Sequence, residues 1–199
     1  MRIAAILTLP VVLAACAGQP AEPVESVAMG DSAQQAALER SQKAAAALGA
    51  DLMSTMATEM AKGGPAAAIV VCSDVAQSIA ANHSGEGVEV RRVTLKARNP
   101  ANQPDEYERA QLERLQTLHD QGAMPAELSE VVENDGVREL RYLKPIQTAE
   151  LCLACHGPAD SLAPEVRDVI AQRYPDDAAT GYSAGQLRGA ISVRTRLAP

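Results

Sequence analysis

Residues 152–156 read Cys-Leu-Ala-Cys-His, and this run concentrates the chain's most reactive side chains. Two cysteines three apart on a helical turn reach both vinyl groups along one edge of a porphyrin. A histidine directly after the second faces the iron from the same side of the ring. Cys152 and Cys155 are therefore read as the attachment points of one covalent haem c, with His156 as an iron ligand. Three other readings use the same residues. A redox pair needs Cys-x-x-Cys, but the βαβ pattern around thioredoxin-like pairs is not evident. A zinc site needs four ligands, and a second Cys/His pair at finger spacing is missing. A structural disulfide leaves His156 without a role.

Two further cysteines frame this reading. Met1-Arg2 and the apolar run Ile3 to Leu13 have the length of a signal peptide rather than of a membrane span. Leu13-Ala14-Ala15-Cys16 then resembles a bacterial lipobox. Residues 1–15 are expected to be removed and Cys16 lipidated, which makes a stable membrane anchor. Ordinary cleavage after a small residue is the plainer alternative. The expected location is the periplasmic side of a bacterial membrane, and Ala17 in place of Asp favours the outer one. Residues 16–30 read as a flexible tether and 31–199 as one domain. Cys72 is then a thiol without a role in an oxidising compartment. It is either a buried small hydrophobe or a thiolate that ligates the iron.

Composition narrows the classes further. Apolar residues make up 47% of the chain, yet there is no Trp or Phe and only four Tyr. The core must come from Ala, Val, Leu, Ile and Met, and a haem would add a large flat apolar body to it. Net charge is −7, and without Arg2 the chain carries 17 basic against 25 acidic residues. An acidic chain with no basic cluster argues against a nucleic-acid partner.

These side chains need elements to position them. Leu38, Ala45, Leu48, Leu52, Met56 and Met60 share one face of a helix expected over 31–62, which Gly63-Gly64-Pro65 ends. Residues 66–81 read as a second helix, although Ile69-Val70-Val71 could open a strand. Strands are expected over 88–97, over 137–146 after the Asn134-Asp135-Gly136 turn, and over 189–196. Pro104 starts a helix with Asp105 and Glu106 in its first turn, and another helix covers 164–173. A short helix carries Cys152. The expected class is α+β, a small antiparallel sheet covered by helices on one side, with a long N-terminal helix.

The pattern around Cys72 goes further. Ala68 to Ala76 read Ala-Ile-Val-Val-Cys-Ser-Asp-Val-Ala, and Arg91 to Pro104 read Arg-Arg-Val-Thr-Leu-Lys-Ala-Arg-Asn-Pro-Ala-Asn-Gln-Pro. With the haem motif and the closing Gly189 to Val193, these stretches resemble the PAS-like haem c-binding domain family, over about residues 31–196. Members of that family occur as exported cytochromes and as sensory parts of membrane signalling proteins. The resemblance implies a Cys/His axial pair, with Cys72 opposite His156. Gln77 stands where many relatives have Pro, which touches local helix geometry only.

Other candidates are weaker. His83 lies in a turn, His119 near a helix end, and Met124 in a loop before Pro125. Met53, Met56 and Met60 recur at helical spacing, the mark of core packing. Arg91, Arg92, Lys96 and Arg98 could pair with haem carboxylates, though a solvated strand face is the plainer reading. Of this stretch Arg98 and Asn99 are expected near the haem. A thiolate ligand would stabilise ferric iron and lower the potential. Redox or diatomic-gas sensing, reported to a separate signalling or redox protein, is the expected function, with electron transfer as the alternative. No acid/base constellation around the motif points to catalysis.

Overall fold

The computed structural model describes residues 25–197. The leader, Cys16 and the tether up to residue 24 lie outside the described residues. Helix α1 runs over Glu25–Asn82, so it takes up the last residues expected in the tether. It comprises two arms, 25–62 and 65–82, because Gly63 and Gly64 leave helical geometry between them. Gly64 has φ 72°, a conformation glycine adopts without steric cost, and Pro65 opens the second arm with φ already suited to a helix. The second arm doubles back along the first. His83, just past its end, meets Asp51 at 2.8 Å, and Ala80 joins Ala45 and Leu48 in one cluster. The second-helix reading of 66–81 holds, and the strand alternative does not.

Four antiparallel strands form the sheet: β1 (Val88–Val93), β2 (Leu128–Asn134), β3 (Val137–Gln147) and β4 (Leu187–Arg196), in spatial order β1-β4-β3-β2. Alternation along the strands sorts the core. Val90, Tyr142, Ile191 and Val193 face α1 and pack on Ala45 and Leu48. The opposite face carries Val93, Leu143 and Ala190 against Leu112 of α2 (Glu106–Asp120). Helices therefore cover both faces of the sheet, not one as the sequence suggested. Asp105 caps α2 from outside its first turn: its carboxylate accepts from Glu108 N at 2.7 Å, and Glu108 returns the contact at 2.8 Å.

Strand β2 was not expected. Its Val131-Val132 pair sits between acidic residues at the sheet edge, so it shows no clean alternation. The turn betrays it: Asp135 and Gly136 both have positive φ, the two-residue geometry that joins hairpin strands. Strand β1 ends four residues early, where Thr94 N–H donates to Asn102 O and its hydroxyl donates to Arg188 O. Met53, expected in the core, is 50% exposed.

At the site end of the sheet, β4 passes so close to β1 that a Cβ on Gly189 would stand 2.3 Å from Val93 O, and its φ is 146°. Gly189→Ala is therefore expected to destabilise the domain by at least about 2 kcal/mol, a drop of roughly 4–8 °C in Tm. Thermal unfolding followed by circular dichroism checks this, and an unchanged Tm would contradict the close approach.

Candidate functional site

The Cys-x-x-Cys-His run forms a compact pair of turns. A 3-10 turn over Glu150–Cys152 leads into α3, Leu153–His156. Gly157 follows with φ −64°, and a Cβ there would stand 2.7 Å from Leu153 O, so glycine lets the turn close tightly. The next helix, α4 (Pro164–Arg173), packs Leu162, Val166 and Ile170 around Ile69 of the second α1 arm, with Cys155 against the same cluster. The arm that carries Cys72 and the turn that carries Cys155 thus share one apolar contact.

His156 is held from one side. Its Nδ1–H donates to the Ala179 carbonyl at 2.7 Å, which leaves the lone pair on Nε2. Burial, then the nearby Arg188 and Arg98 guanidinium groups, push its pKa down to about 2, so the ring is neutral. Backbone bonds fix the partner loop: Tyr182 N–H donates to His156 O and Gly181 N–H to Gly157 O, each at 2.9 Å. The Tyr182 ring meets the imidazole edge-on at 6.3 Å between centroids.

Cys72, Cys152 and Cys155 carry free thiols, all half-buried. Cys155 lies within electrostatic reach of both Cys72 and Cys152. Burial raises the pKa of Cys72 and of Cys155; Arg92 draws Cys72 back and Arg98 draws Cys155 back. The structure therefore brings Cys72 to the Cys152–Cys155–His156 turn. Among the described residues no three His, Cys, Asp or Glu side chains converge as a metal-ion cage.

Arg98, expected near the haem, sits beside the Cys-x-x-Cys-His turn. It donates to Cys155 O at 2.6 Å and to both carboxylate oxygens of Asp177 at 3.0 and 3.2 Å. Asn99 has a local role: its side-chain oxygen accepts from Ala101 N at 2.9 Å and caps a 3-10 turn. Gln77 stays helical and reaches Asn102 across 3.2 Å. His83 pairs with Asp51, and His119 donates to Gly185 O at 2.9 Å, so neither belongs to the cluster. Asp177, Ala179, Tyr182 and Arg188 are site residues that sequence reasoning missed. The scarcity of aromatics is the one signal that could have pointed to Tyr182, because the chain has only four tyrosines and no Trp or Phe.

The model of the Tll0287-like family matches residues 30–196. The chain belongs to the Tll0287-like family. The crystal structure of the cyanobacterial heme-protein Tll0287 has the same fold, with a TM-score of 0.54 and 24% sequence identity, covering 88% of this chain and 97% of that one. No curated protein matches the chain. Membership in the Tll0287-like family agrees with the PAS-like resemblance of the sequence and with an α+β fold that opens on a long helix. As a donor set, three unpaired thiols and a neutral imidazole with an open nitrogen suit a covalent haem.

Because His156 titrates far below its unfolded value, the unfolded chain binds a proton between about pH 6.5 and 2 that the folded chain does not. Its contribution to stability is present above pH 6.5 and lost as pH falls. In protein prepared without haem, His156→Gln should flatten the acid limb of stability against pH by at most about 1.4 kcal/mol per pH unit. Urea unfolding between pH 4 and 7 measures this, and parallel curves for the two proteins would contradict the buried neutral ring.

Proposed function

We propose that this chain is an exported c-type haem protein that senses redox state or a small ligand through an iron held between His156 and Cys72. One arrangement carries the reading. Cys152, Cys155 and His156 sit on consecutive turns with Cys72 as a neighbour, while Ala179 O holds the imidazole by Nδ1 and leaves Nε2 for a metal. A second-sphere carbonyl of this kind fixes the tautomer and raises the basicity of the ligand. That Tll0287 is a heme-protein supports the same reading.

Each residue has a task. Cys152 and Cys155 would hold the haem by thioether bonds, each thiol adding S–H across one vinyl group, which would make attachment permanent. Bound iron would supply one-electron chemistry and an exchangeable coordination position. Burial raises the pKa of the Cys72 thiol, and the nearby Arg92 charge offsets part of that rise. Cys72 lies on an arm joined to the rest of α1 by two glycines, so an arm released from an iron ligand there would be an element able to take a second position. A diatomic gas is the candidate ligand, and a separate signalling or redox protein the partner. Electron transfer is the second reading. Leu151 beside the motif is 46% exposed, which would leave a cofactor edge near solvent.

The export signal belongs to the same proposal. Cleavage before a lipidated Cys16 would anchor the domain on the periplasmic side of a bacterial membrane, with the outer membrane favoured. Cys16→Ala should move the protein from the membrane pellet to the soluble fraction, and an unchanged pellet would remove the lipid anchor from the reading.

The deciding experiment is optical. Protein co-expressed with cytochrome maturation factors is recorded ferric, dithionite-reduced, and reduced under carbon monoxide. Haem c bands that survive denaturation are expected, and they should vanish in the Cys152→Ser, Cys155→Ser double variant. A carbon monoxide shift at neutral pH supports a displaceable Cys72, and Cys72→Ala should then give a high-spin ferric spectrum. A reduced spectrum indifferent to carbon monoxide favours electron transfer. Absence of haem after maturation overturns the proposal.

A further inference from the structure

The charge around His156 is not balanced by the protein. Three guanidinium groups, Arg188, Arg98 and Arg92, act on its ring. Arg98 is neutralised by Asp177 at 3.0 Å, with both side chains about nine-tenths buried. Arg188 has no such partner among the described residues, although it is only 6% exposed. Its Nη1 donates to the neutral Thr94 hydroxyl at 3.0 Å and the Lys96 carbonyl at 3.2 Å, and the group lies 5.2 Å over the Tyr182 ring. Its Nε is buried without an acceptor. Arg92, half-buried near the end of β1, has no carboxylate within ion-pair distance among the described residues. The groups that act on it are Cys72 and Cys152, and it in turn acts on Arg188.

Two guanidinium groups near enough to repel, one buried and one half-buried, with no acid paired to either among the described residues, are costly unless an anion joins them. The anion must stand beside Cys72, Cys152 and His156. We infer that Arg92 and Arg188 are the residues that bind the two carboxylates of the attached haem, an inference that rests on the haem reading above. Guanidinium suits the task, since it meets a carboxylate with two parallel N–H donors. The charges also match. With ferric iron, the porphyrin dianion and one thiolate cancelling, the two carboxylates are what remains, and two arginines offset them. Arg98, the residue of this stretch that the sequence favoured, has its charge committed to Asp177 and serves the motif backbone instead.

The pair also sets the direction of a redox effect. Positive charge beside the iron favours the reduced state, so removing it should stabilise ferric iron. The test uses the matured full-length holoprotein. Midpoint potentials come from optical redox titration, and the propionate bending bands from resonance Raman spectra. Arg92→Gln and Arg188→Gln should each retain covalent haem, move the potential negative and shift a propionate band. Arg92→Lys should restore most of the potential, because it returns the charge. Unchanged bands and potential in Arg92→Gln would overturn the inference. So would a shift in Arg92→Lys as large as in the Gln variant, since that marks a purely structural role. If Arg188→Gln does not accumulate, the two Arg92 variants decide the question. Wild-type protein without covalent haem would overturn the functional reading and this inference with it, whereas haem-loaded wild type with indifferent arginine variants would overturn the inference alone.

Discussion

The buried ion pair between Arg98 and Asp177 is the tie on which the site depends. Three segments distant in sequence meet there: the loop after β1, the Cys-x-x-Cys-His turn, and the loop before β4. Arg98 holds the Cys155 carbonyl, while Asp177 Oδ1 accepts the Ala179 N–H at 3.0 Å, and the Ala179 carbonyl in turn holds His156. One guanidinium therefore sets both where the second motif cysteine sits and which way the imidazole points. Such a pair adds little net stability over an apolar contact of the same shape, because two charges must be desolvated. Its value here is geometric. Lys96 strengthens the same junction by donating to Thr180 O at 2.8 Å while covering the Tyr182 ring.

The rest of the fold can be read as support for that junction. The second arm of α1 brings Cys72, and α4 presses it toward the motif through Ile69 and Ile170. Arg173 at the end of α4 reaches Asp74 at 2.9 Å, a partly exposed contact that orients more than it stabilises. At the far face, buried Glu108 accepts Arg91 at 3.3 Å and lies near Arg141, so α2 is locked to the sheet by charge as well as by Leu112. A chain this poor in aromatics relies on its tyrosines as spacers under cations: Tyr107 beneath Arg141 and Tyr182 beneath Arg188.

Legibility followed the range of the interactions. Cys152, Cys155 and His156 announce themselves because their chemistry is contiguous, and Cys72 followed from a resemblance spread over several segments. The helices of α1, α2 and α4 were visible in their apolar periodicity, caps and proline starts. Asp177, Tyr182 and Arg188 were not, because they come from a loop and a strand end whose spacing carries no period and whose partners lie some 80–100 residues away. Strand β2 was lost for a related reason: an edge strand with charged neighbours takes its identity from β3, and only the positive-φ turn between them records it. The second covered face of the sheet escaped notice because a helix's destination is not written in its own pattern.

Gly63 and Gly64 bear on the order of assembly. They reverse the chain within two residues, so the cost in chain entropy of laying the Cys72 arm along its neighbour is that of closing a very short loop. Contacts such as Ala80 with Leu48 are correspondingly local for a protein of this length. The loops that carry His156 and Asp177 must instead wait for β4, the last strand made, to find β1 and β3. Local pairings form ahead of distant ones. The arm bearing Cys72 is thus prepared early, and the segment that carries Cys152, Cys155 and His156 is among the last to be enclosed.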